Sequence, residues 1–161
     1  MCIFTDIIEY KKVRKLKRKL LSTGCLILLV SCQTYTVSVE SFRNQMVNVT
    51  PENLREVKIN NPGIYSAYTN IRYLANNIDT IQVVDKDGNE VALENSPKLE
   101  MRLTHNNGKR YVLLFDTVTL ENDTLKGARS RILHNLRREF PLDSIKFIEI
   151  QDSKKKYKYQ N

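Results

Sequence analysis

The sequence predicts a mainly β fold, a small antiparallel barrel or sandwich with one short helix, placed after an N-terminal signal peptide. Three observations carry that expectation. Apolar residues recur in short, partly alternating segments between residues 64 and 150, as half-buried strands require. Turn clusters separate the segments: Asn60-Asn61-Pro62-Gly63, Asp85-Lys86-Asp87-Gly88-Asn89, Asn106-Asn107-Gly108 and Asn122-Asp123. A basic run followed directly by a short apolar run opens the chain.

That opening comes first in order. Lys11 to Lys19 reads KKVRKLKRK, and Leu20 to Val30 is apolar except at Ser22, Thr23 and Gly24. A bilayer core takes about 20 helical residues to span, so this run is too short for a permanent span and has the plan of a secretory leader. It ends in Leu29-Val30-Ser31-Cys32, which resembles the lipobox of bacterial lipoproteins. The resemblance implies that the Cys32 thiol takes up lipid and that cleavage falls after small Ser31. Each buried CH₂ adds about 0.8 kcal/mol, so two or three acyl chains hold where one does not. Residues 1–31 are thus expected to be removed, 32–49 to form a lipid-anchored tether or first strand, and 50–161 to form the mostly β domain. Met1 to Tyr10 is long and partly acidic for the start of a leader.

Charge and cysteine follow the same division. The formal charge of +8 includes seven Lys/Arg against Asp6 and Glu9 in residues 1–31, which leaves +3 on the rest. The high net charge therefore belongs mostly to the leader and says little about partners. Cys2 and Cys25 fall before the expected cut. One lipidated cysteine allows no disulfide and no multi-thiolate metal site. Roughly 130 residues can bury about two-thirds of their unfolded surface, enough for a core without staples.

In residues 33–49, Tyr35, Val37 and Val39 share one side, so the segment reads as a strand or an extended tether. Thr50-Pro51-Glu52 predicts a helix, with Thr as N-cap, Pro at the first position and an acid in the first turn, ending near Val57 or Lys58. Ile64 to Leu74 is apolar without a clean period. Ile78 to Val84 and Glu90 to Leu93 read as two arms of a hairpin about the Asp85–Asn89 turn. Lys98 to Thr104 alternates, and Asn-Gly predicts a type I′ turn at Asn106-Asn107-Gly108. Arg110 to Leu120 is expected as a long strand bent near Asp116, Thr124 to Gly127 as the next, and Phe140 to Ile150 as the last full one, with a bend at Pro141-Leu142-Asp143-Ser144. Lys154 to Tyr159 reads as a frayed end or an edge strand blunted by lysine. Leu99, Met101, Leu103, Val112, Leu114, Ile145 and Ile148 are the expected core.

The run from Lys98 to Gln151, a meander closing on FPLDSIKFIEI, resembles the end of SH3-like and Sm-like small barrels. With FDTVTLENDTLKGARSRI (115–132) and FPLDSIKFIEIQD (140–152), the mature chain resembles small uncharacterised lipoproteins of Bacteroidetes-type bacteria. That resemblance implies an outer-membrane lipid anchor and brings no activity. Gln33-Thr34-Tyr35 lacks the acidic signal of surface-exported lipoproteins, which points to the periplasmic face.

Catalytic chemistry finds little support in the spacing. The two histidines, His105 and His134, have no second ligand at i+3 or i+4. No G-x-S-x-G, Gly-rich phosphate loop or H-E-x-x-H occurs. Asp85/Asp87 and Glu121/Asp123 are carboxylate pairs in turns, where such residues belong for backbone reasons. Asp85 to Asn89 has the first half of an EF-hand loop without flanking helices or the bidentate Glu. No cofactor or metal is expected, and export argues against nucleic acid. Asp79-Thr80-Ile81, Asp116-Thr117-Val118, Asp123-Thr124-Leu125 and Asp143-Ser144-Ile145 resemble the O-glycosylation triplet of Bacteroidetes envelope proteins, although an Asp turn entering a strand produces the same triplet.

One local concentration of charge stands out. KGARSRILHNLRR carries Lys126, Arg129, Arg131, Arg137 and Arg138 with no acid. It is a candidate surface for an anionic partner, because the arginine fork binds carboxylate and phosphate bidentately. Ile132, Leu133 and Leu136 are expected to pin it to the core. The expected function is that of a membrane-anchored, non-enzymatic binding or structural module. The alternative is an enzyme acting on envelope polymers.

Overall fold

The computed structural model of the chain describes residues 33–60 and 70–160. Cys32 and the whole leader lie outside these residues, as does the stretch 61–69. The described part is mainly β, with antiparallel sheets and one α-helix.

Strand β1 (Thr34–Val37) turns Tyr35 and Val37 inward. Val39 does not continue it. It begins helix α1 (Val39–Met46), whose N-cap Ser38 accepts the Ser41 N–H at 3.1 Å. Phe42 and Met46, one turn apart on the helix, are fully buried. The helix expected after Thr50 is not formed. Pro51–Asn53 makes a single 3₁₀ turn, and Arg55–Asn60 is strand β2. Val57 and Ile59 are β-branched at alternate positions, and the whole strand pairs with β3 (Asn70–Ala75).

β4 (Thr80–Val84) and β5 (Glu90–Glu94) form the expected hairpin, and β6 (Leu99–His105) pairs with β7 (Arg110–Leu114). At the β6–β7 turn the Gly108 N–H reaches the His105 carbonyl at 2.8 Å, and only Gly108 takes positive φ, at 79°. That is a three-residue loop with a left-handed glycine, not the expected type I′ turn. The two consecutive left-handed residues occur instead at Asn122 (φ 48°) and Asp123 (φ 55°), between β8 (Thr119–Glu121) and β9 (Thr124–Ala128). Asn and Asp tolerate that region, so no glycine is needed.

The predicted strand 110–120 is broken where expected: a 3₁₀ turn at Phe115–Thr117 separates β7 from β8. β10 (Arg137–Pro141) follows, then a 3₁₀ turn at Leu142–Ser144, β11 (Ile145–Asp152) and β12 (Lys158–Gln160).

The strands form a six-stranded sheet, β5-β4-β1-β11-β6-β7, and two three-stranded sheets, β10-β9-β8 and β12-β2-β3. No sheet closes into a barrel among the described residues, and the arrangement is that of a sandwich. One face of the large sheet presents Tyr35, Val37, Ile81, Val83, Leu99, Met101, Leu103, Leu113, Ile148 and Ile150. Leu120, Leu125 and Phe140 of the β8–β10 sheet, with Phe42 and Met46 of α1, complete the core. All of this core lies between Tyr35 and Ile150, so the chain from Gln33 onward carries its own. At Gly127 the sheets come so close that a Cβ would lie 2.9 Å from Leu113 Cδ1. Of the expected core residues, Val112 is the exception. It faces away from the sandwich, in register with Arg102, and is 38% exposed.

Candidate functional site

The β12-β2-β3 sheet contributes no residue to that main core. It meets the sandwich at a polar node built on Asp116. The Phe115–Thr117 turn carries this residue inward, where it is fully buried. Arg131 Nη2 donates to both Asp116 oxygens at 2.9 Å and to the Pro97 carbonyl at 2.9 Å. The Tyr73 hydroxyl of β3 also donates to Asp116, and the Tyr159 hydroxyl of β12 does so at 3.3 Å. The Arg131 guanidinium lies 5.1 Å from the Tyr73 ring centre and 5.7 Å from that of Tyr157, within reach of cation–π attraction.

Two asparagines support the node from behind. Asn76 takes the Asp116 carbonyl through its own N–H at 2.7 Å. Its side-chain amide donates to the carbonyls of Phe115 and Val118. The side-chain amide of Asn95 donates to Asn76 Oδ1 at 2.7 Å and to the Ile78 carbonyl at 2.9 Å.

Burial pushes the Asp116 carboxyl above its usual range, against the opposing pull of Arg131 and the two tyrosines. Burial and the Asp116 charge raise both tyrosines well above the ordinary phenol range. They therefore stay protonated at neutral pH and act as donors. For Arg131, burial works downward, and Asp116 and Tyr73 outweigh it, so the net movement is upward.

Beside the node lies a cavity of about 310 Å³, lined among others by Arg72, Tyr73, Leu74, Ser130, Arg131 and Arg137. Asp116 is not part of that lining.

The five cations of residues 126–138 are not gathered into one surface. Arg131 is a correction: its side chain is 5% exposed and spent on Asp116. Lys126 pairs with Glu121 at 2.5 Å. Arg137 and Arg138, adjacent on β10, point to opposite faces of the sheet. Arg137 lines the cavity, and the Arg138 guanidinium lies 5.5 Å from the Tyr111 ring centre. Arg129 is exposed at the start of the β9–β10 loop, and its N–H closes the loop on the Leu136 carbonyl at 3.1 Å. Among the described residues no carboxylate pairs with Arg129 or Arg137.

Two of the three expected apolar pins are reversed as well, while Leu136 is half-buried. Ile132 and Leu133 are 44% and 54% exposed. A buried Asp116 demands the cation, so the loop turns Arg131 inward and its aliphatic neighbours outward.

The remaining candidates are placed as follows. His105 Nδ1 accepts the Asn107 N–H within the β6–β7 turn. Asp85 organises its own turn by accepting the N–H groups of Asp87 and Asn89 at 2.8 and 2.9 Å. Of the four triplet hydroxyls, Thr80 is exposed, Thr124 and Ser144 are half-buried, and Thr117 is buried with its oxygen bonded to Leu114 and Ala128. Among the described residues no cluster of His, Cys, Asp and Glu could hold a metal ion, and no helix is long and apolar enough to cross a membrane. Comparison with protein-family models, with curated proteins and with solved structures finds no match to this chain.

Proposed function

We propose that this chain is an envelope lipoprotein, anchored in the outer membrane through lipid on Cys32 and facing the periplasm. Its β domain is then a non-enzymatic binding module for an anionic partner. The observation that carries the binding part is the pair Arg129 and Arg137. Both are exposed and unpaired by any described carboxylate, at the loop and cavity beside the Asp116 node. The lipobox-like Leu29-Val30-Ser31-Cys32 after a basic and apolar run carries the address.

An enzyme acting on envelope polymers is the second reading. What favours it is that Tyr73 and Arg131, both in contact with a carboxylate of raised pKa, line a cavity. Against it, both Asp116 oxygens are already engaged by Arg131 and the tyrosines. Such an arrangement joins two sheets more readily than it moves protons.

The anchor is tested by metabolic labelling with a fatty acid. The wild-type chain should take up label and Cys32→Ala should not. Equal labelling of the two, or none in either, overturns the anchor.

A further inference from the structure

The start of the folded domain and the basic loop lie at one end of the large sheet. Cross-strand registers place Thr34 beside Gln151, Gln151 beside Glu100, and Glu100 beside Leu114. Three strand spacings make that row about 15 Å long. Leu114 in turn shares a small cavity with Arg129, Ser130 and Ile132. Cys32 is two residues ahead of Thr34, so a lipid on it is attached no more than about 7 Å from the strand end.

The same end carries a run of lysines. The chain leaves β11 at Asp152, opposite Leu99, and continues into exposed Lys154, Lys155 and Lys156. Lys155 is paired with Glu100 at 2.5 Å, and Asp152 accepts the Lys154 N–H. Asp116 is neutralised by Arg131. The acids Asp85 and Asp87 of the β4–β5 turn lie at this same end, beside Thr34 and on the other side of β1 from the loop. The loop thus adds unpaired Arg129, exposed Ile132 and exposed Leu133 to an end where, among the described residues, Glu100 and Asp116 are paired with cations, while Asp152 is not and Glu56 lines the cavity with Arg137.

Aliphatic side chains in a loop flanked by two unpaired arginines fit a surface with negative headgroups above hydrocarbon. An acidic protein with an apolar patch could use the same groups, and what favours a lipid surface is the expected lipid attachment at this end of the domain. We infer that the β9–β10 loop is a membrane-contact element: Ile132 and Leu133 enter the interface of an anionic lipid surface while Arg129 and Arg137 meet its phosphates. This rests on the reading of the domain as an anion-binding module and names the lipid surface as the partner. The loop and the lipid on Cys32 then form two membrane contacts on one end of the domain. Two or three acyl chains on Cys32 hold the domain at the membrane, and the loop contact sets its orientation there.

The chain contains no tryptophan, which makes a single introduced one a clean probe. The chain from Gln33 to Asn161 is used, since its core is its own and no lipid is then attached. Leu133→Trp should shift its emission to the blue on mixing with phosphatidylcholine vesicles containing phosphatidylglycerol. Pure phosphatidylcholine should leave it unchanged. Phe147→Trp, exposed on β11 toward the other end of that strand, should shift with neither. Adding Arg129→Ser and Arg137→Ser to Leu133→Trp should weaken vesicle affinity about 25-fold, at about fivefold per arginine near a charged surface. The inference is overturned if Leu133→Trp does not shift, if it shifts equally with both vesicles, or if the arginine changes leave affinity unaltered. A captured acidic protein that binds through Arg129 and Arg137 without any vesicle response would overturn the lipid assignment and leave the anion-binding reading standing.

Discussion

Arg131 and Asp116 are fifteen positions apart and come from different elements, yet each is what makes the other tolerable in the interior. Removing one partner of a buried ion pair leaves an uncompensated charge and costs about 3–5 kcal/mol, while replacing both by apolar residues of similar volume is often nearly neutral. Arg131→Met should therefore lower stability by about 3–5 kcal/mol in denaturant unfolding. Arg131→Met combined with Asp116→Leu should recover much of that loss. Equal costs for the single and double variants would mean that the pair does not act as a pair. The sequence offered a weak signal here. Asp116 was legible as the bend in a long strand, and Arg131 as one cation among five. Nothing in the spacing of the two tells that they meet, because burial of a carboxylate is a property of the packed molecule.

At the scale of elements, turns and caps were the most legible features, since their chemistry is local. Asp85 illustrates this. Its carboxylate accepts the Asn89 N–H, the Asn89 side-chain amide and the Asp87 N–H, and these bonds hold its pKa below the ordinary aspartate value of 3.8. A depressed carboxyl pKa stabilises the turn above that value, and the contribution is lost as pH falls through the lower, folded pKa. Nuclear magnetic resonance titration should show the Asn89 and Asp87 amides shifting with a midpoint below 3.8, and Asp85→Asn should abolish the titration. A midpoint at or above 3.8 would contradict the arrangement.

The helix was misplaced for an equally local reason. Thr50-Pro51-Glu52 is a good opening, but a start signal needs an apolar face to follow it. Phe42 and Met46 supply one to α1, whereas Val57 and Ile59 alternate and suit a strand. Gln45 adds a contact no periodicity shows: its side-chain amide donates to the Gln82 carbonyl at 3.0 Å and accepts the Gln82 N–H at 2.7 Å. It thereby stands in for a strand partner beyond the end of β1.

At the scale of the whole molecule, the β12-β2-β3 sheet is tied to the sandwich partly through hydroxyl donors to one buried carboxylate. A hydrogen bond to a charged group is worth about 1.5–3 kcal/mol. Tyr159→Phe should lower the thermal midpoint by several degrees on that scale. Ending the chain after Asp152, which removes β12 altogether, should lower it further and expose β2 as a new edge. The far-ultraviolet signal of the six-stranded sheet should survive both changes. An unchanged midpoint in both would mean that the sheet is held elsewhere.

By itself the sequence determined the mainly β class, the hairpin at Asp85–Asn89, the break at Asp116, and the inward face of Leu99, Met101 and Leu103. Each follows from a period of two or from the backbone preferences of Asn, Asp and Gly, which act over a few residues. Only the tertiary structure decided which of five neighbouring cations is buried, that Ile132 and Leu133 face out, that Val112 lies on the uncovered face, and that a third sheet docks on Asp116. Those outcomes turn on which groups meet across tens of residues. A buried carboxylate recruits the nearest cation, and that recruitment reverses the in-and-out order of the loop that carries it.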